Sequence, residues 1–239
     1  MLALRPLILG LVLMSVPLCV WALYPFDSPI KLAALFAVFF ISATLIRKAI
    51  LEPLKALRFF QTFAKNHNFN CHGSLSHDPL VNGVFEGRKF VAGISAHIAR
   101  DSDERYRTIV SSPVQEGVPS GLRIYAAETQ TWSHAQSGRR IISTGYADLH
   151  NELVCEGYEG HVVQSFVKEA QTRDAILKFF ERYPDTLIHG GESQLPADPD
   201  GASGVVSVAF RGRILDESKL LAAINDVCAF AESLEPERG

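Results

Sequence analysis

Apolar positions are gathered unevenly along this chain. Pro6 to Phe26 is a run of 21 residues without a charge, and Leu32 to Ile46 is a second uncharged run between Lys31 and Arg47. A helix needs roughly 20 apolar residues to cross about 30 Å of hydrocarbon. The first run has that length. The second approaches it if its helix begins at Ser28 and Pro29, a favourable N-cap and first helical residue. The pattern therefore predicts a transmembrane helical hairpin over residues 1–50, with spans at about 6–26 and 28–46. Trp21, Tyr24 and Phe26 gather at the far end of the first span, where aromatic rings favour the interface. A competing reading makes the first run a signal peptide with Val20-Trp21-Ala22 as its cleavage site.

Beyond the runs the period changes. Pro53 starts a new helix. Leu54, Leu57, Phe60 and Ala64 recur at spacings of three and four, so residues 51–66 read as an amphipathic connector. From Val81 to Ile98 the alternation is that of strands. Glu86-Gly87 forms a hairpin turn between Gly83–Phe85 and a strand with Phe90, Ala92, Ile94, Ala96 and Ile98 on its apolar face. Arg105–Val110 and Leu122–Ala126 are two further strands, giving an antiparallel meander of about four. Leu153–Cys155 is a short strand. Val163, Phe166, Val167 and Ala170 share one helix face. Thr172 is the expected N-cap of a second helix, which Tyr183-Pro184 stops. Residues 189–203 read as a loop. Val206, Val208 and Phe210 alternate in a last strand. Asp216 caps a closing helix with Leu220, Ile224, Val227 and Ala231 on its buried stripe. The expected architecture is α+β: a hairpin, a connector, a cytosolic domain over 67–234 with two to three packed helices, and a frayed tail at 235–239.

Charge sharpens this division. Seven basic and two acidic residues precede position 66, whereas 16 basic and 24 acidic residues follow. The excess of Arg and Lys after the second run orients it: by the positive-inside rule the N-terminus and the C-terminal domain lie in the cytosol, and the protein is multi-pass in the cell (inner) membrane. Arg47, Lys48, Lys55, Arg58 and Lys65 are the candidate lipid-headgroup residues, at roughly 1 kcal/mol each. The acidic domain would repel a polyphosphate backbone, which argues against nucleic acid as a partner. With 47% hydrophobic and 21% charged residues, the chain is not disordered.

The chemistry-bearing residues are sparse. His67, Cys71, His72 and His77, near Asp78, are the candidate metal ligands, since imidazole and thiolate suit zinc, although their spacing matches no standard zinc pattern. His97, and Asp148, His150 and Glu152 on one strand face, are candidate acid–base groups. His189-Gly190-Gly191-Glu192 is a candidate backbone nest for an anion. Arg88, Arg139 and Arg140 would bind a carboxylate or pair with the domain's own acids. Cys155 and Cys228 read as small core residues. No nucleotide-binding loop, nucleophile elbow or metalloprotease motif occurs, so no catalytic residue and no cofactor is assigned.

Gly83-x-Phe85-x-Gly87-Arg88, then Thr144-Gly145 ahead of a short apolar strand, two helices, a strand and a closing helix, resemble an uncharacterised family of bacterial membrane-anchored proteins. Leu149-His150 departs from the Phe-Asp pair of that pattern. The resemblance covers about Gly83 to Leu234 and implies an anchored α+β domain without an assigned reaction. The expected function is that of a non-catalytic accessory or assembly protein, bound to the lipid bilayer and to another membrane protein or complex. The alternatives are a membrane-tethered hydrolase or metal-dependent enzyme, and a lipid-responsive or signalling module acting through the basic helix.

Overall fold

The computed structural model describes residues 36–37, 40, 44, 47, 51–74, 77–96, 106–114, 118–127, 139–146, 153–191 and 204–235. Apart from Phe36, Ala37, Phe40 and Thr44, both uncharged runs lie outside these residues. Among the described residues no helix is long and apolar enough to cross a membrane. The chain divides into two compact units: Met1–Thr62 with His72–Pro79, and Phe63–Cys71 with Leu80–Gly239.

Among the described residues four helices, α1 (Glu52–His67), α2 (Gly160–Lys168), α3 (Ala170–Arg182) and α4 (Glu217–Ser233), accompany nine strands. The strands are β1 (Asn70–Ser74), β2 (His77–Phe85), β3 (Arg88–Ala96), β4 (Tyr106–Val114), β5 (Arg123–Ala126), β6 (Arg140–Ile141), β7 (Leu153–Gly157), β8 (Thr186–Gly190) and β9 (Gly204–Arg211). They form one sheet in the order β1-β2-β3-β4-β9-β8-β5-β7-β6. The fold is α+β, as the hydrophobic pattern predicts. The first four strands are a meander, but β5 is not its next member: β9 and β8 stand between β4 and β5. The expected loop over 189–203 begins inside a strand: His189-Gly190 ends β8, and the histidine-rich stretch contributes β1 and the start of β2.

Local rules set the element ends. Glu86 and Gly87 both have positive φ, 49° and 83°, as the tight turn between β2 and β3 requires. Asp216 caps α4 by accepting from the Lys219 amide at 2.9 Å. Tyr183 ends α3, its amide donating to the Phe179 carbonyl. Thr172 is not the N-cap of α3. The helix begins earlier, after Glu169, and Thr172 is buried with its hydroxyl donating to the Glu169 carboxylate.

The closing helix α4 packs on β3, β4 and β9, and α2 packs on β7. Phe210 of β9 packs edge-on against Tyr183, and Phe179 of α3 stacks near Phe230 of α4. Phe90 of β3 receives the Phe69 ring edge-on at 4.9 Å, and a Cβ at Gly83 opposite would sit 2.5 Å from that ring. Leu220, Ile224, Val227 and Ala231 of α4 are buried, as their spacing predicts. Arg88 anchors the end of this layer. It donates to the Glu235 carboxylate at 2.6 Å, to the Pro113 carbonyl at 2.9 Å and to Ser112 Oγ at 3.2 Å. It therefore pairs with one of the domain's own acids. Tyr183 OH donates to Asp226 of α4 at 2.5 Å, and burial with that bond pushes the Tyr183 pKa up to about 12.

The opposite face is buried as well, which the alternation in β3 does not foretell. Val91, Ile109, Ala209, Leu187 and Tyr125, contributed by five different strands, make one apolar cluster flanked by Leu80 and Val154. Strands buried on both sides lose the apolar–polar alternation of a half-solvated strand.

Candidate functional site

Side chains alternate across a strand, so cross-strand register fixes which residues line up on a face. On the face away from Phe90 and Phe210, register aligns Val91, Ser111, Ser207, His189, Arg123 and Glu156 across β3, β4, β9, β8, β5 and β7. Five of these six are polar. They form a row beside the apolar cluster. Ser111 and Ser207 are fully buried, and His189 and Glu156 are only 7% and 9% exposed.

Buried polar groups are costly unless paired, and the row is largely paired within itself and with its neighbours. Ser111 Oγ and Ser207 Oγ lie 2.7 Å apart. Tyr125 OH donates to Glu156 Oε1 at 2.8 Å. The serine pair gives a clean expectation. Ser207→Ala should cost about 1 to 2 kcal/mol, because Ser111 loses its partner without regaining water. Ser111→Ala/Ser207→Ala together should cost less than the two single losses summed. Denaturant titration of the four proteins reads this, and strict additivity would rule out the coupling.

The row changes character at Arg123. Its Nε is buried and has no hydrogen-bond partner among the described residues. Burial, and next the charge of Arg139, hold the Arg123 pKa below its ordinary value, with Glu156 acting in the opposite sense. Arg139 donates from Nε to the Gly121 carbonyl at 3.0 Å, and its guanidinium lies 4.9 Å from the centre of the Tyr158 ring. Both arginines are half-buried. The arrangement offers guanidinium donors beside one carboxylate and an aromatic face, chemistry suited to holding an oxyanion.

The other candidates are dispersed. Lys55, Arg58 and Lys65 of α1 are exposed, and the 100° step of a helix puts them away from the buried Ala56, Phe60, Phe63 and Ala64. The buried stripe is thus turned slightly from the expected one, with Leu54 and Leu57 half-buried. Arg47 is exposed, and Lys48 lies outside the described residues. His67 Nε2 is 2.9 Å from the Glu217 carboxylate, which also accepts from Asn66. His77 Nδ1 is 3.2 Å from Ser74 Oγ, and His72 is exposed. Cys71 is half-buried, and burial raises its thiol pKa. Among the described residues no three His, Cys, Asp or Glu side chains are grouped to hold a metal ion. His97, Asp148, His150 and Glu152 lie outside the described residues.

The expected anion nest at residues 189–192 is not available at its two glycines. The Gly190 amide donates to the Leu122 carbonyl and the Gly191 amide to the Val205 carbonyl, both at 2.9 Å. Cys155 and Cys228 are buried, and burial pushes their pKa values up to about 12 and about 11. Those values fit inert core thiols.

Sequence reading passes over Ser111, Ser207, Arg123, Tyr125 and Glu156. Their signal is a polar residue inside an apolar strand: Ser207 in Val205-Val206-Ser207-Val208-Ala209, and Ser111 after Ile109-Val110. Each alone looks like an ordinary solvent-facing position; only the register joins them.

Compared with known proteins, the chain matches no protein family and no curated protein. Among solved structures it is similar to the crystal structure of the mycobacterial trehalose monomycolate transport factor A, TtfA, at 11% identity and a TM-score of 0.46, over 75% of this chain and 95% of that one.

Proposed function

We propose that this protein is a membrane-anchored accessory or assembly factor. A two-span hairpin holds its α+β domain at the cytosolic face, where it binds a partner membrane protein. The observation that carries the reading lies in the second uncharged run. Phe36 and Phe40 are 66% and 75% exposed, large apolar rings presented outward within a stretch that contains no charge from Leu32 to Ile46. Thr44, also exposed, donates its hydroxyl to the Phe40 carbonyl at 2.8 Å. That bond back along the chain satisfies a hydroxyl without water, as a lipid-facing helix needs. Arg47, Lys48, Lys55, Arg58 and Lys65 follow directly and would meet anionic headgroups on the cytosolic side.

The test is extraction and topology. The intact chain should stay with membranes through alkaline carbonate and leave them only with detergent. A cysteine introduced by Glu232→Cys, at an exposed position of α4, should react with an impermeant maleimide only after the inner membrane is opened. Release by carbonate would remove the anchor from the reading, and labelling in intact spheroplasts would reverse its orientation. Detergent extraction of the anchored chain should bring down a membrane protein in fixed stoichiometry; a bare monomer removes the accessory role.

A further inference from the structure

We propose that Arg123 and Arg139 form a binding site for a phosphate group. The inference is independent of the membrane anchor. Residues 66–239 carry eight more acidic than basic side chains, so a surplus of positive charge within that region needs an explanation. Arg123 stands in register between His189 on β8 and Glu156 on β7. Glu156 is the carboxylate acting on it, and that carboxylate already receives Tyr125 OH on Oε1. Arg123 Nε is left buried with no partner among the described residues. Arg139 uses its own Nε on the Gly121 carbonyl, which fixes the guanidinium beside the start of β5 and against the Tyr158 ring.

Arg123 therefore faces a like charge, Arg139, and a carboxylate that already accepts a hydrogen bond. Burial and the charge of Arg139 both disfavour the protonated form of Arg123, and an incoming anion relieves the second of these. The number of acceptor atoms selects its class. A guanidinium presents five donors in a planar fork. The two oxygens of a carboxylate fill one fork, whereas the three or four oxygens of a phosphate serve two forks at once. Both arginines are half-buried, so the group can enter from solvent and still be partly desolvated, where charge-assisted bonds are stronger. Tyr158, almost half exposed, flanks the entrance. The phosphate comes either as a free ion or on a phospholipid headgroup.

The experiment is a thermal unfolding series on the full chain in a neutral detergent, at constant ionic strength. One arm titrates inorganic phosphate against chloride. The other replaces phosphatidylcholine by phosphatidic acid in the micelles. A ligand that binds the folded state alone raises the midpoint with concentration. The midpoint should rise in at least one arm, and the arm that responds identifies the source. In that arm Arg139→Gln should weaken the fitted affinity by about tenfold to a hundredfold, and Arg139→Lys, which keeps the charge and loses the fork, by less. Arg123→Gln should act in the same direction. Arg139 is half-exposed, so its variants keep the test usable if Arg123→Gln fails to fold. No rise in either arm overturns the site, as does a rise that Arg139→Gln leaves unchanged.

Discussion

Gly191→Ala should lower the unfolding midpoint of the chain by about 10 °C, corresponding to about 3 kcal/mol. Two effects combine. Gly191 has φ of 90°, a conformation that side chains of the L hand rarely adopt, at a cost of about 1 to 3 kcal/mol. A Cβ there would also lie well inside contact distance of the Ser120 Cα, with the Ser120 amide nitrogen 3.0 Å away. Backbone cannot swing aside as a side chain does, so β8 and the segment before β5 would have to separate, and the Gly191–Val205 and Gly121–Gly190 hydrogen bonds would weaken with them. Gly87→Ala is the control. It has a similar φ of 83° but open space where the Cβ would go, so it should lose only about 1 kcal/mol. Equal losses at the two sites would mean that backbone strain alone acts at Gly191.

The second large effect is expected at Arg88. Arg88→Met should destabilise the chain by about 3 kcal/mol, since removing one partner of a largely buried pair leaves the other poorly compensated. Both Arg88 and Glu235 have side chains only 18% exposed. The guanidinium also holds the Pro113 carbonyl and Ser112 Oγ, and Ser112 in turn donates to the Lys89 carbonyl. One side chain thus joins β3, β4 and the end of α4. Glu235→Gln keeps an acceptor for Arg88 and should lose about 1 kcal/mol. The double variant Arg88→Met/Glu235→Gln should be more stable than the sum of the single losses predicts. Urea titration separates these outcomes; a loss under about 0.5 kcal/mol in Arg88→Met would place the pair with ordinary surface ion pairs.

Much of the fold is readable from residues whose local chemistry is decisive. Glu86-Gly87, Asp216 and Tyr183 mark ends that need no knowledge of the rest of the chain. The stripe of α4 survives because a helix's periodicity is internal to it. β8 is missed because Thr186–Gly190 is five residues long and runs into Gly190-Gly191, which reads as a loop. The burial of Val91 is missed because Gly93, Ser95 and His97 beside it look like a solvent face. The polar row is missed for a further reason: its members come from strands far apart in sequence, and no local period relates Arg123 to Glu156 or His189. Arg88 shows the reverse case. Its place in a short motif marks it as special, and its partner Glu235, 147 positions away, supplies the reason.

The insertion of β9 between β4 and β8 also has a consequence for how the chain matures. Ser111 and Ser207 are neighbours in the sheet yet 96 positions apart. Ribosomes add about 5 to 20 residues per second, so β4 emerges several seconds before the strand that completes it. During that interval the β4 margin of the meander, which carries Ile109 and Val110, is unpaired. Non-local pairing of this kind is slow to consolidate and vulnerable to misassembly. Productive maturation therefore depends on keeping the nascent β1–β4 segment from associating with other chains until the C-terminal third has been synthesised.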